Sequence, residues 1–80
     1  MDSNTAITQT THLQGVGRVP AIPANDLQVG DVIIYNFGYR STVCGITPRG
    51  KTQLVVHTAQ LGGGFYQSVI NRTRLVAVAQ

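Results

Sequence analysis

From Leu27 to Ala79 the apolar positions fall in short β-branched runs separated by glycine, and no stretch of ten or more residues carries a helical repeat. The pattern predicts five strands, over residues 32–37, 40–47, 52–58, 65–70 and 75–79. Asn25-Asp26 before Leu27 reads as a single capped turn, and Val29-Gly30-Asp31 redirects the chain into the first strand. Gly38 permits the next reversal. Gly45, inside a β-branched run, predicts a bulge or sharp bend. Pro48-Arg49-Gly50-Lys51 and Gly62-Gly63-Gly64 close two hairpins. Asn71-Arg72-Thr73-Arg74 suits one helical turn before the last strand.

Five short strands with glycine punctuation predict an all-β fold, a small, strongly bent antiparallel barrel, because closure removes the unpaired edges of a small sheet. The expected core is Leu27, Val29, Val32, Ile34, Val43, Ile46, Leu54, Val56, Val69, Leu75 and Val78. Ile33, Val55 and Val76 are expected on the outside. Residues 1–18 are rich in Thr, Gln, Ser, Asn and Gly and read as a flexible polar arm, with the barrel over 19–80. Within 16–22, Pro20 favours an extended edge segment that packs Val19 or Ile22 on the barrel, with Pro23 just beyond.

Composition narrows the picture. The charged fraction is 11 %, well below the usual quarter, so Thr, Gln, Ser and Asn supply much of the polar surface. Six Lys or Arg against three Asp give a net charge of +3, a mild tilt toward anionic partners. A lone cysteine, Cys44, excludes an internal disulfide and fits a reducing cytoplasm. The start Met1-Asp2-Ser3-Asn4-Thr5 lacks a basic region and an apolar core, and no apolar run approaches the roughly 20 residues that span a bilayer, so neither secretion nor a membrane partner is expected.

Leu27-x-Val29-Gly30-Asp31-Val32-Ile33, the Pro48-Arg49-Gly50 hairpin and the one-turn link into Arg74-Leu75-Val76-Ala77-Val78 together resemble the small barrels of the Src-homology-three, Tudor and KOW type. The resemblance covers about residues 24 to 79 and extends to short chains of actinobacteria and their phages. It implies a noncatalytic binding module. Strand entries of the form Leu-x-Val-Gly-Asp-Val also open self-splicing intein domains, whose catalytic residues are absent here.

Candidates for catalysis are scattered. His12 lies in the expected arm and His57 on the outer face of the third strand, where a solvated imidazole accounts for it. Cys44 reads as a small buried or half-buried hydrophobe with no neighbour to activate it. Asp26 and Asp31 flank the entry turn, where bonds to backbone explain both. Gly62-Gly63-Gly64 lacks a lysine and leads into a strand, so no phosphate loop is expected. No enzyme, cofactor or metal site is predicted.

The binding signal is geometric. If the strand stays extended, Tyr35, Phe37 and Tyr39 share one face near a hairpin tip with Arg40, while Arg49 and Lys51 occupy the next tip and Arg72 and Arg74 extend a positive rim. Aromatic faces stack bases and guanidinium groups meet phosphates, so the first reading is a platform for single-stranded nucleic acid or RNA. Mutual packing of the aromatics is the alternative for Tyr35 and Phe37. A second reading is a module that clasps a peptide or an identical subunit, giving a homo-oligomer; capture of a nucleotide or other small ligand is a third.

Overall fold

A computed structural model describes residues 9–60 and 62–79. The first half of the expected arm, residues 1–8, lies outside the described residues. The chain is all-β, in two antiparallel sheets. Among the described residues seven strands follow in order: β1 (Thr10–Leu13), β2 (Gly17–Pro23), β3 (Val32–Ile34), β4 (Arg40–Arg49), β5 (Gln53–Ala59), β6 (Phe65–Asn71) and β7 (Leu75–Ala77). A short 3-10 turn occupies Ala24–Asp26, and a tight turn with left-handed residues occupies Asn36–Gly38. One sheet has the order β1-β2-β7 and the other β3-β4-β5-β6.

The sheets meet where β7 runs past β3. A single bridge joins Ile33 to Val78, and the Ala79 N–H donates to the Val32 carbonyl at 2.9 Å. Among the described residues β1 and β6 are the outer edges, and the two sheets do not close into a barrel. An open edge at each end is the main departure from the expected closed cylinder.

The segment expected to be an arm behaves differently from residue 10 onward. Thr10–Leu13 pairs with 17–20 through a hairpin in which Gly15 and Gly17 take positive φ. A polar Thr-rich run can form such a strand because one of its sides needs no core behind it. β2 is then the centre of its sheet instead of an edge. Pro20 is tolerated there because it supplies only its carbonyl, which accepts the Val78 N–H at 3.1 Å.

The core cluster joins Ala24, Leu27, Ile33, Val43, Leu54, Val56, Val76 and Val78, with Ile22, Ile46 and Ile70 packed around it. β5 shows the expected alternation, with Leu54, Val56 and Thr58 buried between half-buried neighbours. Gly45 sits at the expected bulge, where the β4–β5 register shifts between Val43 and Gly45.

Three groups of core expectations need correction. Val29 is 67 % exposed, because it caps a turn in which the Asp31 carboxylate accepts the Gln28 N–H at 2.8 Å. Val69 is exposed because its cross-strand partner is Val55, on the outer row of β5. Ile33 and Val76, expected outside, are buried. They lie on the two strands that join the sheets, and such strands bury both faces.

Candidate functional site

The aromatic run does not stay extended. β3 ends at Ile34, and the chain turns through Asn36–Gly38, with the Tyr35 N–H donating to the Tyr39 carbonyl at 2.7 Å and the Gly38 N–H to the Tyr35 carbonyl at 3.0 Å. Tyr35 and Tyr39 therefore sit at the two feet of the turn. Phe37, at its top, takes φ 65°, ψ 14°, a left-handed conformation that costs a bulky side chain about 1–2 kcal/mol.

A distant contact holds Phe37 there. Its N–H donates to the Gln14 carbonyl, at 2.6 Å, and the Asn36 Oδ1 accepts the Gln14 N–H at 2.9 Å. The Phe37 ring lies over Gly15, where an added Cβ would come within 2.6 Å of the ring. The β1–β2 hairpin thus docks on the turn, and Phe37 is separated from the two tyrosines.

The missing third ring comes from β6. Tyr66 stands opposite Thr58, on the same face as Ser68 and Ile70, which oppose Val56 and Leu54. Tyr35, Tyr39 and Tyr66 together line a pocket of about 310 Å³, to which Ser41 and Thr58 contribute buried hydroxyl-bearing residues. The sequence holds a signal for it: folding the chain back at Gly62–Gly64 puts Tyr66 on the inward row.

A second cavity of about 470 Å³ shares Tyr35, Thr58 and Ser68 with the first and extends past Ile70 to His12 on β1 and Arg74. The two form one cleft, lying where closure of the sheets would have filled the gap. Neither Asp26 nor Asp31, the carboxylates among the described residues, lines it.

The basic residues are divided. Arg40 opens β4 beside Tyr39, whereas Arg49 ends that ten-residue strand, roughly 30 Å further along, with Lys51 in the following turn. Arg72 is engaged internally. Its Nη1 donates to Asn25 Oδ1 at 3.3 Å and its Nη2 to the Gly50 carbonyl at 3.2 Å, while Nε is buried without a partner. Its backbone N–H donates to the Thr52 carbonyl and its carbonyl accepts the Asn25 N–H, each at 2.9 Å. Arg72 is a clamp between two turns, and Arg74, exposed, stands at the cleft. The cleft thus gathers Tyr35, Tyr39 and Arg74; Arg40 alternates with the cleft-lining Tyr39 and Ser41 and belongs to the other row of β4, and Phe37, Arg49, Lys51 and Arg72 do not line the cleft either.

Cys44 is exposed, a correction to its expected burial, because it is the extra residue of the β4 bulge. His57, half-buried on the outer row, has Nε2 3.4 Å from the Thr47 hydroxyl. Among the described residues no three metal-capable side chains come together, and no helix is long and apolar enough to cross a membrane. No protein-family model, curated protein or solved structure matches the chain. Its functional reading therefore rests on the cleft itself.

Proposed function

We propose that the chain is a noncatalytic binding module that takes single-stranded nucleic acid in its tyrosine-lined cleft. The observation that carries this reading is the meeting of Tyr35, Tyr39 and Tyr66 around one solvent-open pocket. Tyrosine faces stack on bases with little regard for sequence, and each stacked base contributes about 1–3 kcal/mol. Arg74 at the cleft and the net charge of +3 supply attraction for a phosphate backbone.

The resemblance to Src-homology-three, Tudor and KOW barrels supports the same class. On this reading the two sheets are an opened form of the small bent barrel, with the binding cleft at the unclosed seam. The exposed Cys44 thiol suits a reducing, cytoplasmic setting. The aromatic rings are retained from the sequence-based site with Tyr66 in place of Phe37, and Arg40, Arg49, Lys51 and Arg72 leave it.

Fluorescence anisotropy with a labelled oligothymidine and the matching oligouridine tests the proposal. Tyr39→Ala and Tyr66→Ala should each weaken binding about tenfold, in line with the loss of one stacked base. Affinity should fall as salt rises, with a shallow slope set by the few cations at the cleft. The double variant Arg49→Ala, Lys51→Ala should bind within about twofold of the parent, since neither residue lines the cleft. Absence of binding at low salt, or dependence on Arg49 and Lys51 but not on the tyrosines, would overturn the reading.

A further inference from the structure

Among the described residues, β6 is an open edge with none of the usual protections. From Phe65 to Asn71 it holds no charge and no proline, and its ladder with β5 runs for seven unbroken pairs. Natural edge strands are normally blunted by a lysine, a proline, a bulge or a covering loop. β6 is instead exposed at six of its seven positions, with Phe65 83 % and Val69 44 % accessible.

The direction of its free main-chain groups follows from the ladder. The Gln60 N–H donates to the Gly64 carbonyl at 3.1 Å, and the Arg72 N–H donates to the Thr52 carbonyl at 2.9 Å. Both bonds involve even-numbered residues of the β6 segment. Since alternate residues of an antiparallel strand direct their N–H and C=O to opposite sides, the even residues face β5 and Phe65, Gln67 and Val69 face outward. Asn71 is only half available, because its carbonyl accepts the Arg74 N–H.

This outward set is complementary to itself. A second copy laid antiparallel, with the two-fold axis at Gln67, places Gln67 opposite Gln67 and Phe65 opposite Val69 in both directions. The register forms about six inter-chain N–H···O bonds without disturbing the Asn71 carbonyl. It also makes two aromatic to β-branched cross-strand pairs, a favourable combination on a sheet face. A strand without charge meets its own copy without like-charge repulsion, although the whole chain is cationic. A second copy is the partner that these residues favour, because its two-fold register sets Phe65 against Val69 at both ends with no charge on either strand.

We infer that the protein forms a two-fold dimer by β6–β6 pairing, joining two four-stranded sheets into one continuous sheet of eight. The dimer sets Tyr66 of each copy beside Ser68 of the other and brings the two clefts to either side of the axis. The inference stands apart from the nature of the cleft's ligand.

Two measurements test it. In light scattering coupled to size exclusion, the parent chain should give twice the chain mass at high concentration, and Val69→Lys should give the single-chain mass, with a thermal melt equal to that of the parent diluted until it is monomeric. In a Cys44→Ser background, Gln67→Cys should form a disulfide dimer under mild oxidation, since residues at the axis lie about 5.5 Å apart between Cα atoms, within disulfide reach. Val69→Cys should not, because it faces Phe65 of the second copy. A parent chain that stays monomeric at the highest attainable concentration overturns the proposal. So does a dimer that survives Val69→Lys, or equal crosslinking at residues 67 and 69.

Discussion

β5 and β6 are neighbours of equal length, paired over seven residues, and they live in different environments. β5 alternates between buried and half-buried positions along its whole length, whereas β6 is exposed everywhere except Ile70. Gln53-Leu54-Val55-Val56-His57-Thr58-Ala59 and Phe65-Tyr66-Gln67-Ser68-Val69-Ile70-Asn71 are both rich in residues that favour strands. Propensity thus makes both extended, and position in the sheet separates them. β5 has a strand on each side and the core beneath; β6 has one neighbour and a cleft beneath. The first strand carries stability and the second carries accessible surface.

The largest test of that contrast compares equivalent truncations on the two strands. Leu54→Ala removes a buried side chain from the core cluster and should destabilise by about 3 kcal/mol. Val69→Ala, at low protein concentration, should cost under about 0.5 kcal/mol, since its side chain is largely hydrated before and after folding. Urea denaturation followed by circular dichroism measures both. Similar losses at the two sites would mean that β6 has a packed partner in the free chain.

A smaller effect is expected where β6 ends. Arg72 follows Asn71 directly and ties this end of the sheet to the turns at Asn25 and Gly50. Arg72→Ala should cost about 1–2 kcal/mol, the range for lost hydrogen bonds from a charged donor, moderated by partial exposure. Arg72→Lys should recover less than half of it, because an ammonium lacks the fork that spans two acceptors. Oligonucleotide affinity, compared under conditions where each variant is folded, should stay the same in both. A drop in affinity larger than the change in folded fraction would return Arg72 to the binding site.

The same contrast explains how much could be read beforehand. The alternation in the strand expected at 52–58, the bulge at Gly45, the turn at Asn25-Asp26 without its expected side-chain cap, and the all-β class were legible because each has a local cause: side-chain period, glycine, or turn chemistry. β3 and β7 were legible as strands but not in their facing. Ile33-Ile34 and Val76-Ala77-Val78 are consecutive buried residues, the mark of strands covered on both sides, and period-two reasoning assigns half of them outward. A reversal at Gly38 was legible, but its early start at Asn36 and the left-handed Phe37 within it were not. Phe37 is held by the hairpin around Gly15, more than twenty positions earlier in the chain, and nothing local announces its conformation. Tyr66 escaped for a related reason, since its nearness to Tyr35 depends on how the two ends of the large sheet curve toward each other.

The smallest test asks whether β6 can be made to resemble β5. Ser68 opposes Val56 and faces the cleft, where its hydroxyl adds polarity at a position with strong strand pairing. Ser68→Val should raise stability by about 0.5 kcal/mol, from better strand propensity and from cross-strand contact with Val56. The gain is small because the cleft leaves the new methyl groups partly hydrated. At the same time the added bulk narrows the shared part of the two cavities, so oligonucleotide affinity should fall while the melting temperature rises. Stability and binding moving in opposite directions at one inward position would locate the cleft as the functional face. A stabilised variant with unchanged affinity would place binding elsewhere on the molecule.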